Sequence, residues 1–167
     1  QAVSTLLPGR PSTRSRLFSG LAIVAGTSLL NLVSLNLGPF GSIWPASLIW
    51  AACGWANQGP NAVVGLILFG LGLWVDLLTG GPLGAWAVVA LVAHALTMLT
   101  ARFSTAMAST PMGSAAVTGL FFLIAAFILS ISSGKGFNVL AILVPIVSAV
   151  VVYPWVALWF DLSEDEA

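Results

Sequence analysis

Charged residues are scarce in this sequence: they make up 6% of its 167 residues, whereas hydrophobic residues make up 59%. An ordinary soluble domain carries about a quarter charged residues. A soluble core with so few charges would expose large apolar patches that aggregate in water. The composition therefore indicates a membrane protein. The formal net charge of +0 gives no argument for nucleic acid or for an acidic partner.

Residues that carry chemistry are also few. The sequence has one cysteine, Cys53, and one histidine, His94, so it can form no internal disulfide and has no zinc-ligand spacing. It contains no P-loop, no nucleophile elbow, no HExxH motif and no paired carboxylates. We therefore expect no catalytic residues, no cofactor and no metal, and the sequence gives no positive case for an enzyme.

Six apolar segments are candidates for membrane-spanning helices. A helix needs about twenty apolar residues to cross a hydrocarbon layer about 30 Å thick. The segments are residues 17–37, 42–56, 60–78, 84–103, 111–132 and 136–160. The second is short and has Pro45 near its start, where a proline costs no internal hydrogen bond. Because the connections are short and carry turn residues, neighbouring helices should be antiparallel. We predict an all-α polytopic membrane protein with six transmembrane helices in one compact antiparallel bundle.

Basic residues predict the orientation. Three arginines precede the first span and Arg102 ends the fourth, so an even number of crossings places all four on one side. The positive-inside rule assigns that side to the cytoplasm, and Lys135 then falls on the opposite side. Both termini are predicted to be cytoplasmic. The predicted organisation is a basic N-terminal segment at 1–16, a six-helix transmembrane domain at 17–160 and an acidic tail at 161–167.

Asp76 is a lone carboxylate in an apolar stretch near the end of the third span. Burial without a partner would cost several kcal/mol, and the C-terminal end of a helix dipole disfavours negative charge. Three partners are conceivable: the free N–H groups at the start of the fourth helix, Lys135, or a cation from another protein. Ligand or proton chemistry is the functional alternative. We favour a structural role, in which Asp76 braces the turn formed by Gly80, Gly81, Pro82, Leu83 and Gly84.

His94 lies ten residues after Gly84, about 15 Å along the fourth helix. That depth is close to the midplane, whereas Asp76 is near the surface, so an acid–base pair of the two is not expected. A lone intramembrane histidine is more often hydrogen-bonded to a hydroxyl or a backbone carbonyl. Candidate side-chain partners are Thr97 and Thr100 on the same helix, and Asn31 and Asn36 on the first.

Small residues four positions apart permit close helix approach, and tryptophans near helix ends anchor a protein at the lipid headgroups. The small pairs are Ala22 with Gly26, Ala52 with Ala56, and Ala115 with Gly119. The seven tryptophans mostly fall near the ends of predicted helices, where we expect them to act as anchors.

The stretch GLWVDLLTGGPLG, residues 72–84, resembles a motif of the rod shape-determining MreD family of bacterial inner-membrane proteins. That motif has an Asp on a helix, two apolar residues, a small polar residue, Gly, a variable position and then Pro-Leu-Gly. Pro45 and Trp55 are similar to the proline and aromatic that bracket the family's second span. Tyr153, Pro154 and Trp155 resemble the aromatic-proline-aromatic stretch of its last helix. The resemblance covers roughly residues 42–160 and is strongest over 65–90.

The resemblance implies a non-enzymatic component of the elongation machinery, which directs lateral peptidoglycan synthesis and cell shape. Its implied direct partner is MreC, which has one transmembrane helix and a periplasmic domain. Its implied indirect partners are the class B penicillin-binding transpeptidase, RodA and MreB. A chain with short loops and few charges is suited to packing against other helices and lipid. We therefore expect an inner-membrane scaffold that binds the transmembrane and juxtamembrane region of MreC.

Transport is the rival class. Six helices with short loops and a carboxylate at the outer end also resemble the substrate-capturing membrane subunits of energy-coupling-factor transporters. Such a subunit is expected to enclose a polar, aromatic-lined outer cavity. The predicted outer loops are short and poor in hydrogen-bonding side chains, so we expect no site for a polar vitamin. A vestigial or lipid-filled cavity remains an alternative.

Overall fold

The computed structural model describes residues 13–30, 46–56, 60–103, 110–132 and 138–160. These residues form helices and no strand, so the prediction of an all-α chain is confirmed. In chain order the helices are α1 (Thr13–Leu30), α2 (Leu48–Gly54), α3 (Ala62–Thr79), α4 (Ala85–Phe103), α5 (Pro111–Ser132) and α6 (Val139–Phe160).

Four of the described helices, α3 to α6, are long and apolar enough to cross a membrane. They contain between 18 and 22 residues, close to the length that a hydrocarbon layer requires. The apolar part of α1, Arg16–Leu30, is shorter. Four long apolar helices support membrane character, whereas the predicted number of six spans is not confirmed for the described residues.

The second predicted span differs most from the structure. Within residues 46–56, α2 has seven residues, which rise about 10 Å. All residues of α2 are buried, as are Trp55 and Ala56 after it. A short helix that is apolar on every side is stable when other helices surround it. The segment is therefore a central element within the protein, and its apolar composition reflects burial by neighbouring helices.

The other five helices surround α2. Each contacts two neighbours, in the cyclic order α1, α3, α4, α5, α6 and back to α1, and each also contacts α2. A backbone hydrogen bond from Ala46 N to the Pro145 carbonyl, 3.0 Å long, ties the start of the α2 segment to α6. The indole Nε1 of Trp50 donates to the Ala149 carbonyl at 2.8 Å. These bonds fix the depth of α2 inside the ring.

The two ends of the molecule differ in how the centre is filled. We call the end where α3 stops and α4 begins the Asp76 end, and the end where α1 begins and α6 stops the Phe160 end. The α2 segment runs towards the Phe160 end, because Ser47 donates to the Val24 carbonyl whereas Trp55 packs on Phe160, with ring centroids 5.7 Å apart. The described part of the α2 segment, residues 46–56, therefore lies in the centre of the ring from its middle towards the Phe160 end.

Large apolar side chains cover the outside of the ring. Exposed examples occur on every long helix, among them Leu66, Val92, Ile128 and Leu158. In water this surface would be an aggregation liability, and in a bilayer it is the expected lipid contact.

Candidate functional site

Asp76 lies in the last turn of α3 and is 1% exposed. One carboxylate oxygen accepts the backbone N–H of Gly84 at 2.8 Å, and the other accepts the N–H of Trp86 at 3.0 Å. Both N–H groups belong to the start of α4, where a helix has no internal acceptors. Of the three partners considered from the sequence, the local one is therefore observed. Lys135 lies outside the described residues.

The turn that Asp76 holds depends on two glycines with positive φ. Gly80 ends α3 with φ 62° and Gly84 precedes α4 with φ 91°, conformations that side chains with a Cβ rarely adopt. The N–H of Ala85 donates to the Pro82 carbonyl at 3.1 Å and closes the turn. Between the glycines, Pro82 and Leu83 are exposed, and Leu83 reaches 72% exposure. The 80–84 turn is therefore supported from inside by a carboxylate and presents apolar side chains outside.

Gly72 is a part of this site that the sequence reasoning missed. It lies four residues before Asp76, on the same face of α3. A Cβ at Gly72 would overlap the backbone of Ala87 on α4. The missing side chain lets α4 approach α3 closely enough for the carboxylate to reach the α4 N–H groups. The spacing of Gly72 and Asp76 was visible in the sequence and is the signal that could have identified it.

His94 is buried in the middle of α4, and its Nδ1 lies 2.8 Å from the Ala52 carbonyl of α2. A carbonyl oxygen only accepts, so Nδ1 carries the proton in this bond. Ala52 belongs to the last turn of α2, where carbonyls lack helical partners. The expected bond to a backbone carbonyl is thus present, but its acceptor is on α2. His94 and Asp76 are eighteen residues apart on antiparallel helices, and each is bonded to different backbone groups.

Thr97 and Thr118 form a second buried polar link. Their hydroxyl oxygens are 2.8 Å apart and join α4 to α5. Thr97 also lies 2.7 Å from the Ala93 carbonyl of its own helix. The sequence reasoning considered Thr97 as a partner for His94, whereas its observed side-chain partner is on a different helix.

The remaining predicted site residues are dispersed. Trp55 and Tyr153 are buried near the Phe160 end, and a Cβ on Gly54 would lie 3.2 Å from the Tyr153 hydroxyl. Pro154 and Trp155 face outward on α6, with Trp155 72% exposed. These residues are therefore not brought together with the 80–84 turn. Pro45 lies outside the described residues.

Among the described tryptophans, some are buried, some face outward, and Trp86 is half-buried. Trp50 and Trp55 belong to the α2 segment and are buried, so the expectation that they anchor the protein at headgroups is wrong for these two. Trp155 and Trp159 are exposed on the last turns of α6, as expected for anchors. Among the described residues, the Nε1 of Trp55 is a buried polar atom without a hydrogen-bond partner.

A cavity of about 300 Å³ lies at the Asp76 end, beyond the start of the α2 segment. All six helices or their adjoining residues contribute to its walls. Its lining residues include Ser28, Leu48, Val75, Trp86, Phe122 and Ile142. The Trp86 ring stacks on Phe122 with ring centroids 6.0 Å apart, and the backbone of Trp86 is held by Asp76. The cavity and the 80–84 turn are therefore parts of one region.

Within the described ranges, no three His, Cys, Asp or Glu side chains are grouped so that they could hold a metal ion. No family model, no curated protein and no solved structure matches the chain. The resemblance to the MreD family rests on the motif in residues 72–84 and on the two aromatic-proline features.

Proposed function

We propose that this chain is a non-enzymatic membrane scaffold of the MreD type in the bacterial inner membrane. In this role it binds the transmembrane and juxtamembrane region of MreC, and it supports lateral peptidoglycan synthesis and cell shape. The class B penicillin-binding transpeptidase, RodA and MreB are indirect partners through MreC.

The observation that carries this proposal is that the 80–84 turn is held by a buried carboxylate and exposes apolar side chains. The Asp76 carboxylate is buried and accepts two backbone N–H groups, so both of its oxygens support the turn. Pro82 and Leu83 face outward on that support. A rigid, exposed apolar turn loses little conformational entropy when a partner binds, which favours a contact surface. The juxtamembrane segment of MreC is the proposed contact of this turn.

The surface of α1 offers a place for a partner helix. Of the three small-residue pairs, Ala115 with Gly119 and Ala52 with Ala56 are buried within the protein. Ala22 and Gly26 are exposed, and nothing lies within 4 Å of the position that a Cβ on Gly26 would occupy. Helices associate in lipid where small residues let their backbones approach. We place the transmembrane helix of MreC against this pair.

The proposed topology puts the 80–84 turn on the same side of the membrane as the juxtamembrane segment of MreC. Six crossings in one compact antiparallel bundle place both termini in the cytoplasm and the 80–84 turn on the periplasmic side, where the juxtamembrane segment of MreC leaves the membrane. The basic residues before the first span and Arg102 support this orientation.

Co-purification tests the proposal. Tagged chain and MreC are co-expressed, extracted in mild detergent, and the MreC recovered per chain is measured. We expect Gly81→Leu and Gly26→Leu each to lower recovery about fivefold, the effect of a loss of about 1 kcal/mol. Both positions have room for a side chain, since the nearest atom to a Cβ on Gly81 is the Thr79 hydroxyl at 3.6 Å.

Gly70→Leu is the matched control. Gly70 is exposed on α3, and no atom lies within 4 Å of its Cβ position. It should recover MreC as the unchanged chain does. Full recovery with both Gly81→Leu and Gly26→Leu, at normal expression, would rule out these two surfaces.

The alternative function is small-molecule capture as a subunit of an energy-coupling-factor-like transporter. The cavity of about 300 Å³ favours it, because ligand sites begin at about this size. Its apolar lining argues against a polar vitamin. The same mild extraction separates the two functions: a tightly held MreC supports the scaffold, and a retained water-soluble compound supports transport.

A further inference from the structure

The cavity at the Asp76 end lies next to α2, the shortest of the described helices. Seven residues rise about 10 Å, whereas the 18 residues of α3 rise about 27 Å. The α2 segment occupies the centre of the ring towards the Phe160 end. The described residues that line the cavity come from the last turns of α1 and α3, the start of the α2 segment, the first turns of α4 and α6, and the middle of α5.

The walls of the cavity are not suited to water. Its hydroxyl-bearing lining residues are Ser28, Ser47 and Thr79, and each hydroxyl lies within hydrogen-bonding distance of a backbone carbonyl. The Ser28 hydroxyl also accepts the Trp74 Nε1–H at 3.0 Å. A buried water needs two to four polar partners, and apolar cavities without them stay dry. The other described residues that line the cavity have aliphatic or aromatic side chains.

The cavity has a volume of about 300 Å³ and is partly open, so a slender molecule can enter it in part. Its lining favours an apolar occupant. In a bilayer, lipid tails are the apolar molecules at highest concentration.

We propose that this cavity holds one acyl chain of a membrane phospholipid, inserted from the open side of the cavity, with the headgroup remaining outside. The chain contacts Leu48 at the floor and Phe122 on the α5 wall. Both residues are buried, at 3% and 2% exposure, so lipid on the outer surface does not reach them. The lipid is a structural component of the Asp76 end, distinct from any contact with MreC.

Photocrosslinking on the unchanged chain tests the proposal directly. The purified chain is reconstituted in vesicles containing a phosphatidylcholine with a diazirine near the end of one acyl chain. After irradiation, mass spectrometry maps the modified residues. We expect crosslinks at Leu48 and Phe122, in addition to those on outward-facing residues such as Ile128. Crosslinks confined to outward-facing residues would overturn the proposal.

Lipid retention in variants provides the second measurement. Native mass spectrometry counts phospholipid molecules that remain bound after detergent exchange. Ala126→Phe and Ala141→Phe add a ring to the cavity lining, and we expect each to lower retention about fivefold. Ala116→Phe is the control, because Ala116 is exposed on the same helix as Ala126 and does not line the cavity.

Ala141 is only partly buried, so this position tolerates a larger side chain. Ala141→Phe therefore still tests the proposal if Ala126→Phe fails to fold. Equal retention in all three variants indicates surface lipid only and contradicts the proposal. So does the absence of phospholipid from the unchanged chain, or the presence of a polar small molecule in its place. Because MreC recovery is not measured here, failure of this proposal leaves the proposed scaffold function to its own test.

Discussion

Gly72 on α3 and Ala87 on α4 are in such close contact that a Cβ at position 72 would overlap the Ala87 backbone. This contact sets the separation of the two helices at the Asp76 end. It places the start of α4 within reach of the Asp76 carboxylate, whose two oxygens accept N–H groups at 2.8 Å and 3.0 Å. The close approach and the hydrogen bonds therefore depend on each other.

Gly72→Ala should destabilise the protein by about 2 kcal/mol or more, because the new methyl group forces two helix backbones apart. The measurement is the unfolding free energy in mixed micelles, followed by circular dichroism during an SDS titration. Gly70→Ala is the matched control on the same helix, since its Cβ position has no neighbour within 4 Å. It should be neutral or stabilising by up to about 1 kcal/mol, because alanine favours a helix over glycine. Equal effects of the two variants would contradict the close contact.

Asp76→Ala should cost about 2–3 kcal/mol of unfolding free energy, because it leaves two N–H groups of α4 without an acceptor. Asp76→Asn keeps one acceptor oxygen and should cost roughly half as much. Asn61→Ala is a fair comparison: Asn61 caps α3 by accepting the Val63 N–H at 2.9 Å, but at an exposed site. Water replaces that bond, so the cost should stay near about 0.5 kcal/mol. A loss at Asp76 no larger than at Asn61 would mean that the buried bonds are unimportant.

Trp50→Phe should destabilise the protein by about 1 kcal/mol more than Trp55→Phe. Both indoles are buried on the α2 segment, and both substitutions remove a similar volume. They differ because Trp50 donates to the Ala149 carbonyl, whereas the Nε1 of Trp55 has no hydrogen-bond partner among the described residues. The same SDS titration measures the difference. A larger loss for Trp55→Phe would indicate a partner for Trp55 outside the described residues.

Cysteine labelling should show which side of the membrane each end of α4 faces. Cys53 is the only cysteine of the sequence and is buried, so the unchanged chain should react little with a maleimide. In intact spheroplasts, we expect a membrane-impermeant maleimide to label Gly81→Cys but to label Phe103→Cys only after permeabilisation. Gly81 lies just before α4 and Phe103 is the last residue of α4, which spans the membrane once in the proposed topology. The reverse labelling pattern would invert the proposed orientation.

The local part of the site could be predicted from the sequence because its partners are close along the chain. Asp76 is eight and ten residues from the N–H groups that it accepts. Asp76 lies near the end of one helix, and a short glycine turn leads to the start of the next. The free N–H groups at that start are therefore the nearest partners for a buried carboxylate. The all-α class followed similarly from long apolar segments and their breaks, since each helix satisfies its own backbone hydrogen bonds.

The place of α2 and the polar bonds around it were decided by tertiary packing alone. Residues 42–56 read as a short span because an apolar segment has the same composition whether lipid or other helices surround it. The His94 bond to Ala52 and the Trp50 bond to Ala149 join residues 42 and 99 positions apart. No local spacing rule reaches that far, because such pairs depend on which helix faces which. The cavity likewise exists only in the assembled ring, because all six helices or their adjoining residues contribute to its walls.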